Sequence, residues 1–114
     1  MTPDDFREIV LALDGSIEGA HMGHPDFRIN GRIFASLHSE DRFAMVALTP
    51  EEQGVFLREH PNTFEPSAGA WGRQGATNVK LAVADKRAVR SAARLAWERL
   101  MAAPPPKARR KKVR

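Results

Sequence analysis

At 114 residues with 42% apolar side chains, the chain is sized for one domain around a single modest core, and its apolar runs are too short to span a membrane. It contains no cysteine, which excludes disulfides and thiolate metal sites and fits a reducing cytoplasm. The net charge of +4 is unevenly spread: residues 1–103 hold 12 basic and 14 acidic residues, whereas the last 11 hold six basic residues and no acidic one.

The body is therefore mildly acidic and the basicity belongs to the tail, PPPKARRKKVR. With three prolines and one small aliphatic, Val113, that stretch cannot bury enough apolar area to fold alone. We read residues 1–103 as the domain and 104–114 as a disordered basic extension. No signal peptide is recognisable.

The opening TPDDFREIVLALDG carries helix-start signals: Thr2 at the N-cap, Pro3 in the first turn, and Asp4 and Asp5 at the positive end of the helix dipole. Phe6, Ile9, Val10 and Leu13 recur at helical spacing, and Gly15 supplies the stop. Between residues 16 and 48 the period changes to two. A short strand is predicted over 17–22. In PDFRINGRIFASL the Asn30-Gly31 pair separates two β-prone runs, a strong hairpin signal. Phe27 and Ile29 share one face before that turn, and Ile33, Ala35 and Leu37 form one alternating set after it. A turn over 39–42 leads to a further strand, FAMVALTP, and short connections make the neighbours antiparallel.

TPEEQGVFLREHP repeats the helix-start signal, with Thr49 as cap, Pro50 in the first turn, Glu52 closing a capping box and Pro61 ending the helix. Residues 61–75 read as irregular and 77–83 as a strand. A last helix is predicted over 86–101, capped by Asp85, with Val89, Ala92, Ala93, Ala96 and Leu100 on the stripe that faces a sheet. Lys86, Arg90 and Arg94 follow at i, i+4 and i+8 on a flanking stripe, with Arg87 close by and Trp97 at the border.

The stretch GAWGRQGATNVKL, residues 69–81, places three glycines around a Trp and an Arg. A phosphate-binding glycine loop needs a strand leading in and a helix leading out, so that N–H groups aim at the anion. Here a strand follows the loop, and that reading fails. Gly72 and Gly75 instead permit a tight turn, with Trp71 as its anchor on the core, while Arg73 and Gln74 project into water where they could meet phosphate or base edges.

The segments FRINGRIFASL, LTPEEQ and GAWGRQGATNVKLA, in that order, resemble the MmcQ/YjbR family of small bacterial proteins, over about residues 2–100. The resemblance implies a frataxin-like (CyaY-like) two-layer α+β fold: an antiparallel sheet with the N- and C-terminal helices packed on one side. The family is described as DNA-binding. An aromatic residue commonly follows the position of Gly75 in it; here Ala76 removes that stacking group.

Other chemistry is thinly represented. His21 and His24 give an H-x-x-H spacing, but Gly23 and Pro25 argue against a helix and no third ligand is near in sequence. Asp4, Asp5 and Glu8 would invite an iron test by analogy to frataxin, yet helix capping already accounts for the first two. No nucleophile elbow or carboxylate pair stands out, so neither an enzyme nor a metal or organic cofactor is expected. The leading expectation is a monomeric, non-catalytic DNA-binding protein. Arg73 and Gln74 would act from the loop anchored by Trp71, Gly72 and Gly75. Lys86, Arg87, Arg90 and Arg94 would act from the helical stripe, and Lys107, Arg109, Arg110, Lys111 and Lys112 from the tail. The alternative is a protein-interaction module. An exposed apolar patch around Trp71 and Phe64 would favour the second reading, and a positive face joining Arg73 to the stripe the first.

Overall fold

The computed structural model describes residues 1–38 and 42–103. The expected turn over 39–42 falls mostly outside them, as do the tail residues Lys107, Arg109, Arg110, Lys111 and Lys112.

The chain runs α1 (Pro3–Leu11), β1 (Ile17–His21), β2 (His24–Ile29), β3 (Arg32–Leu37), β4 (Phe43–Ala47), α2 (Pro50–Glu59), β5 (Phe64–Pro66), α3 (Gly69–Arg73), β6 (Ala76–Lys80), a 3-10 turn (Leu81–Val83) and α4 (Lys86–Ala102). The strands form one antiparallel sheet of six in the order β1-β2-β3-β4-β6-β5. Both predicted capping boxes form, Thr2 with Asp5 and Thr49 with Glu52, and Asp85 caps α4 through the N–H groups of Arg87 and Ala88.

Cross-strand register sorts the side chains into two faces. One row runs Phe27, Ala35, Val46 and Thr77 across β2, β3, β4 and β6, and the next runs Leu37, Ala44, Val79 and Phe64. All of these are buried. They meet α4 over β2, β3 and β4, with α1 alongside, while α2 packs on β5 and β6. Phe6 of α1 meets Phe27 edge-on at 6.3 Å, and Phe56 of α2 meets Phe64 at 5.3 Å. Arg99 of α4 joins the helices by bonding Glu52 at 2.6 Å and the carbonyl of Ala47. The expected two-layer α+β architecture is thus present, with the middle helix α2 in the same layer as the terminal pair.

The opposite face of the sheet is not covered by α1, α2 or α4. Its central row is Gly19, Asp26, Ser36, Met45, Asn78 and Glu65, one residue from each strand.

Three expectations change. Ile33, Ala35 and Leu37 do not share a face, because a β-bulge shifts the register between Phe27 and Arg28 and leaves Phe34 without a cross-strand partner. Phe34 and Ala35 are both fully buried, and Ile33 is turned out to the open face. The segment 61–75 is not irregular: it holds β5 and the single-turn helix α3. The last strand is shorter than 77–83, since the chain winds into a 3-10 turn at Leu81, whose N–H donates to the carbonyl of Arg42.

Candidate functional site

The open face is concave. A groove of about 660 Å³ runs along it, a size ordinary for small-ligand and side-chain pockets. Asp26, Ser36 and Met45 of the central row form its floor, with Ala47, Ala76 and the bulge-turned Ile33 beside them. Met22, from the β1–β2 turn, and Trp71 and Gln74, from α3 and its end, stand at the rim.

The rim on the α3 side is built by close backbone packing. A Cβ at Gly72 would fall on the carbonyl oxygen of Ser67, and one at Gly75 on the carbonyl oxygen of Leu48. Gly75 also has φ +114°, which side-chain-bearing residues rarely adopt. Gln53 of α2 ties the same knot from below. Its amide nitrogen donates to the carbonyls of Gly72 and Ala76, both at 3.0 Å, and to the Thr77 hydroxyl at 3.1 Å. Thr77 in turn donates to the carbonyl of Gly75 at 2.8 Å.

Glycine packing and Gln53 therefore hold this segment, and the expected anchor does not. Trp71 is 70% exposed, because α3 turns its indole outward over the groove instead of into the core. Phe64 is buried on the helix side of the sheet, so the exposed patch of Trp71 with Phe64 that would have favoured a protein-interaction module does not form.

Charge in the groove is sparse. Asp26, nearly fully buried, accepts from Nε and a terminal nitrogen of Arg28 at 2.9 and 3.1 Å, a two-pronged pair that holds the guanidinium more firmly protonated than usual. His24 and His38 meet edge-on at 6.4 Å at one end. His38 is exposed as a residue, but partial desolvation of its ring first, and the neighbouring His24 second, depress its pKa below the ordinary value. Among the described residues no Lys or Arg lines the groove.

The predicted basic stripe lies elsewhere. Lys86, Arg87, Arg90 and Arg94 are exposed on α4, in the helix layer, whereas Gln74 lines the open-face groove and Arg73 is exposed at the end of α3. The two sets line no common groove. Lys86, Arg90 and Arg94 line a second, smaller groove whose other wall is α1, with Asp5 and Glu8 facing them. Asp5 is held below the usual carboxylate range chiefly by its capping bonds to Thr2 and to a lesser extent by the charge of Lys86. Arg94 also pairs with Glu98 at 3.3 Å and covers the Trp97 ring at 5.6 Å.

Of the acidic cluster on α1, Asp4 pairs with Arg7 at 2.7 Å and Asp5 closes the capping box. His21 pairs with His24 in backbone register across a two-residue turn, and its side chain lies outside the described residues. No cluster of three His, Cys, Asp or Glu side chains among the described residues is disposed to hold a metal. No described helix is long and apolar enough to cross a membrane.

Compared with family models and with curated proteins, the chain matches none. It is similar in structure to the Deinococcus radiodurans protein DR2400, of domain family DUF419, with a TM-score of 0.74 and 18% identity over 97% of this chain and 86% of that one. At that identity the likeness establishes a shared fold.

Reading the residues alone missed most of the groove. Met22, Asp26, Ile33, Ser36, His38 and Met45 fall on three successive strands and their turns and carry no joint motif. Only the alternation within β2 to β4 hinted at a second face, and the bulge at Phe34 hid the place of Ile33 on it.

Proposed function

We propose that the protein is a non-catalytic binding module whose site is the open-face groove, and that its ligand is an extended segment of a partner protein presenting apolar or aromatic side chains. The carrying observation is Trp71, a large aromatic held 70% exposed at the rim of an apolar trough. Exposed aromatics over a desolvated floor are the usual anchors of protein interfaces. Ser36, Gln74 and the two histidines supply the few hydrogen-bonding groups an extended backbone needs.

Kinship with the MmcQ/YjbR family is part of this proposal. The three resembling segments meet in space: Leu48 and Gln53 of LTPEEQ pack on and bond to Gly75, Gly72 and Ala76 of GAWGRQGATNVKLA, while FRINGRIFASL supplies the bulged strand under the groove. What ties the glycines together is therefore scaffold geometry beneath Trp71.

DNA binding is the second reading, favoured by the exposed Lys86, Arg87, Arg90 and Arg94. Against it stand the carboxylates of Asp5 and Glu8 across the helix groove. One experiment decides between them. Peptides selected from a random display library on the full chain should lose affinity about tenfold or more with Trp71→Ala and none with Arg90→Ala/Arg94→Ala. If no peptide discriminates wild type from Trp71→Ala, while labelled duplex DNA binds with a steep salt dependence lost in Arg90→Ala/Arg94→Ala, the groove reading is wrong and the nucleic-acid reading holds.

A further inference from the structure

The two edges of the sheet are unlike. β5 is three residues long and ends in Pro66, which has no N–H to offer a further strand. β1 is five residues long, pairs with β2 without a register shift, and contains neither Pro, Lys nor Arg. Natural sheets normally blunt such an edge, and β1 shows none of the usual devices except Glu18, which Arg7 of the same chain already engages at 3.0 Å.

The direction of its free groups follows from the hairpin. Met22 and Gly23 have φ 54° and 83°, the signature of a tight two-residue turn, so the flanking pair His21 and His24 exchange both backbone bonds. Ile17 and Gly19 then also bond inward to β2, and the N–H and C=O groups of Glu18 and Ala20 point outward along the edge.

We infer that this edge pairs with the same edge of a second copy, antiparallel about a twofold axis at Gly19. That register matches Glu18 with Ala20 of the partner subunit, and each such pair exchanges both backbone hydrogen bonds. Gly19 faces its own copy in the closely spaced, non-bonded position where the absence of a side chain lets the strands approach. The ends match as well. Met22 and Ile17 are, with Trp71, the most exposed large apolar side chains of the described residues, at 83% and 68%. The register sets Ile17 opposite the partner subunit's His21, one residue short of the exposed turn residue Met22, at both ends of the ladder. Moving the axis one residue toward Ile17 would oppose Glu18 to Glu18, so charge selects against that alternative. The glycine that faces itself at the axis, and exposed apolar ends brought next to each other with no like charges opposed, name a second copy as the occupant in preference to an unrelated strand. The result is one antiparallel sheet continuous through both copies, with the two grooves on a common face.

Sedimentation of the full chain from about 1 µM to about 500 µM tests this, starting from a copy mass of 12.7 kDa. A concentration-dependent shift toward twice that mass is expected. Ile17→Lys, at an exposed position with no core role, and Ala20→Pro, which removes an outward N–H, should each weaken the dimer about tenfold or more with the far-UV circular dichroism unchanged. Amide exchange at Glu18 and Ala20 should slow on concentrating the wild type. A chain that stays monomeric throughout overturns the inference. So does a dimer that both variants leave intact, or one in which the Glu18 and Ala20 amides exchange as freely as in dilute solution.

Discussion

The molecule has two tryptophans, and they lie in opposite layers. Trp97 is half-buried in the helix layer, packed against the core, and its indole N–H donates to the carbonyl of Asp14 at 2.7 Å while Arg94 covers its face. Trp71 stands over the open-face groove, 70% exposed, and its indole N–H has no hydrogen-bond partner among the described residues. One ring closes the fold; the other is presented by it. The grooves beside them differ in the same sense. The groove near α1 and α4 has cations on one wall and carboxylates on the other, so its field largely cancels. The open-face groove is apolar with one internally neutralised carboxylate, so a partner entering it strips water from carbon instead of from charge. Exposed apolar surface on a rigid support is a stronger indication of binding than exposed charge, which is the surface norm.

The comparison can be broken at its support first. Gly75→Ala forces a methyl into the Leu48 carbonyl at a φ of +114° and should cost on the order of 3–5 kcal/mol in urea unfolding. A loss under about 1 kcal/mol would mean that α3 is not fixed where the groove needs it. Trp97→Ala comes next: lost packing of the half-buried ring should cost about 2–3 kcal/mol by the same measurement, the exposed Asp14 carbonyl taking up water instead. Trp71→Ala should change stability by less than about 0.5 kcal/mol, because the ring is already in water, while weakening groove-bound peptides about tenfold. Equal destabilisation by the two tryptophan variants would erase the contrast.

The smallest effect sharpens it by pH. Partial desolvation lowers the pKa of His38 below the ordinary 6.5, so the unfolded chain takes up this proton before the folded one does. The contribution is absent above pH 6.5, and stability is lost as the pH falls from there through the folded-state pKa. Protonation should also weaken apolar ligands, since it charges the groove. Unfolding midpoints of wild type and His38→Gln between about pH 8 and about pH 5 check this: the gap between the two curves should narrow or reverse on acidification. Parallel curves would show that His38 is too well solvated for this role.

Much of the scaffold was legible because its signals are local. Thr2-Pro3, Thr49-Pro50 and Asp85 start helices through bonds that span three residues, and Asn30-Gly31 turns a hairpin through its own backbone preference, with φ 53° and 80°. Hydrophobic spacing likewise marked Phe6, Val10, Val89, Ala92 and Ala96 as core, and all are buried. The sequence by itself thus determined the order of the elements outside 61–75, the caps of α1, α2 and α4, and which helical stripe faces the sheet. The site was decided by tertiary structure alone. The bulge at Phe34 depends on how β3 aligns with β2, and it moved Ile33 to the open face. Gly72 and Gly75 are glycines because Ser67 and Leu48 come to lie against them, and nothing in the spacing of a Gly/Trp/Arg stretch reveals which distant carbonyl will do so. Trp71 reads as an anchor in any window of its neighbours, since a large apolar ring favours burial. Only the packing of α3 on β6 and Gln53, which uses up the space beneath it, leaves that ring facing water.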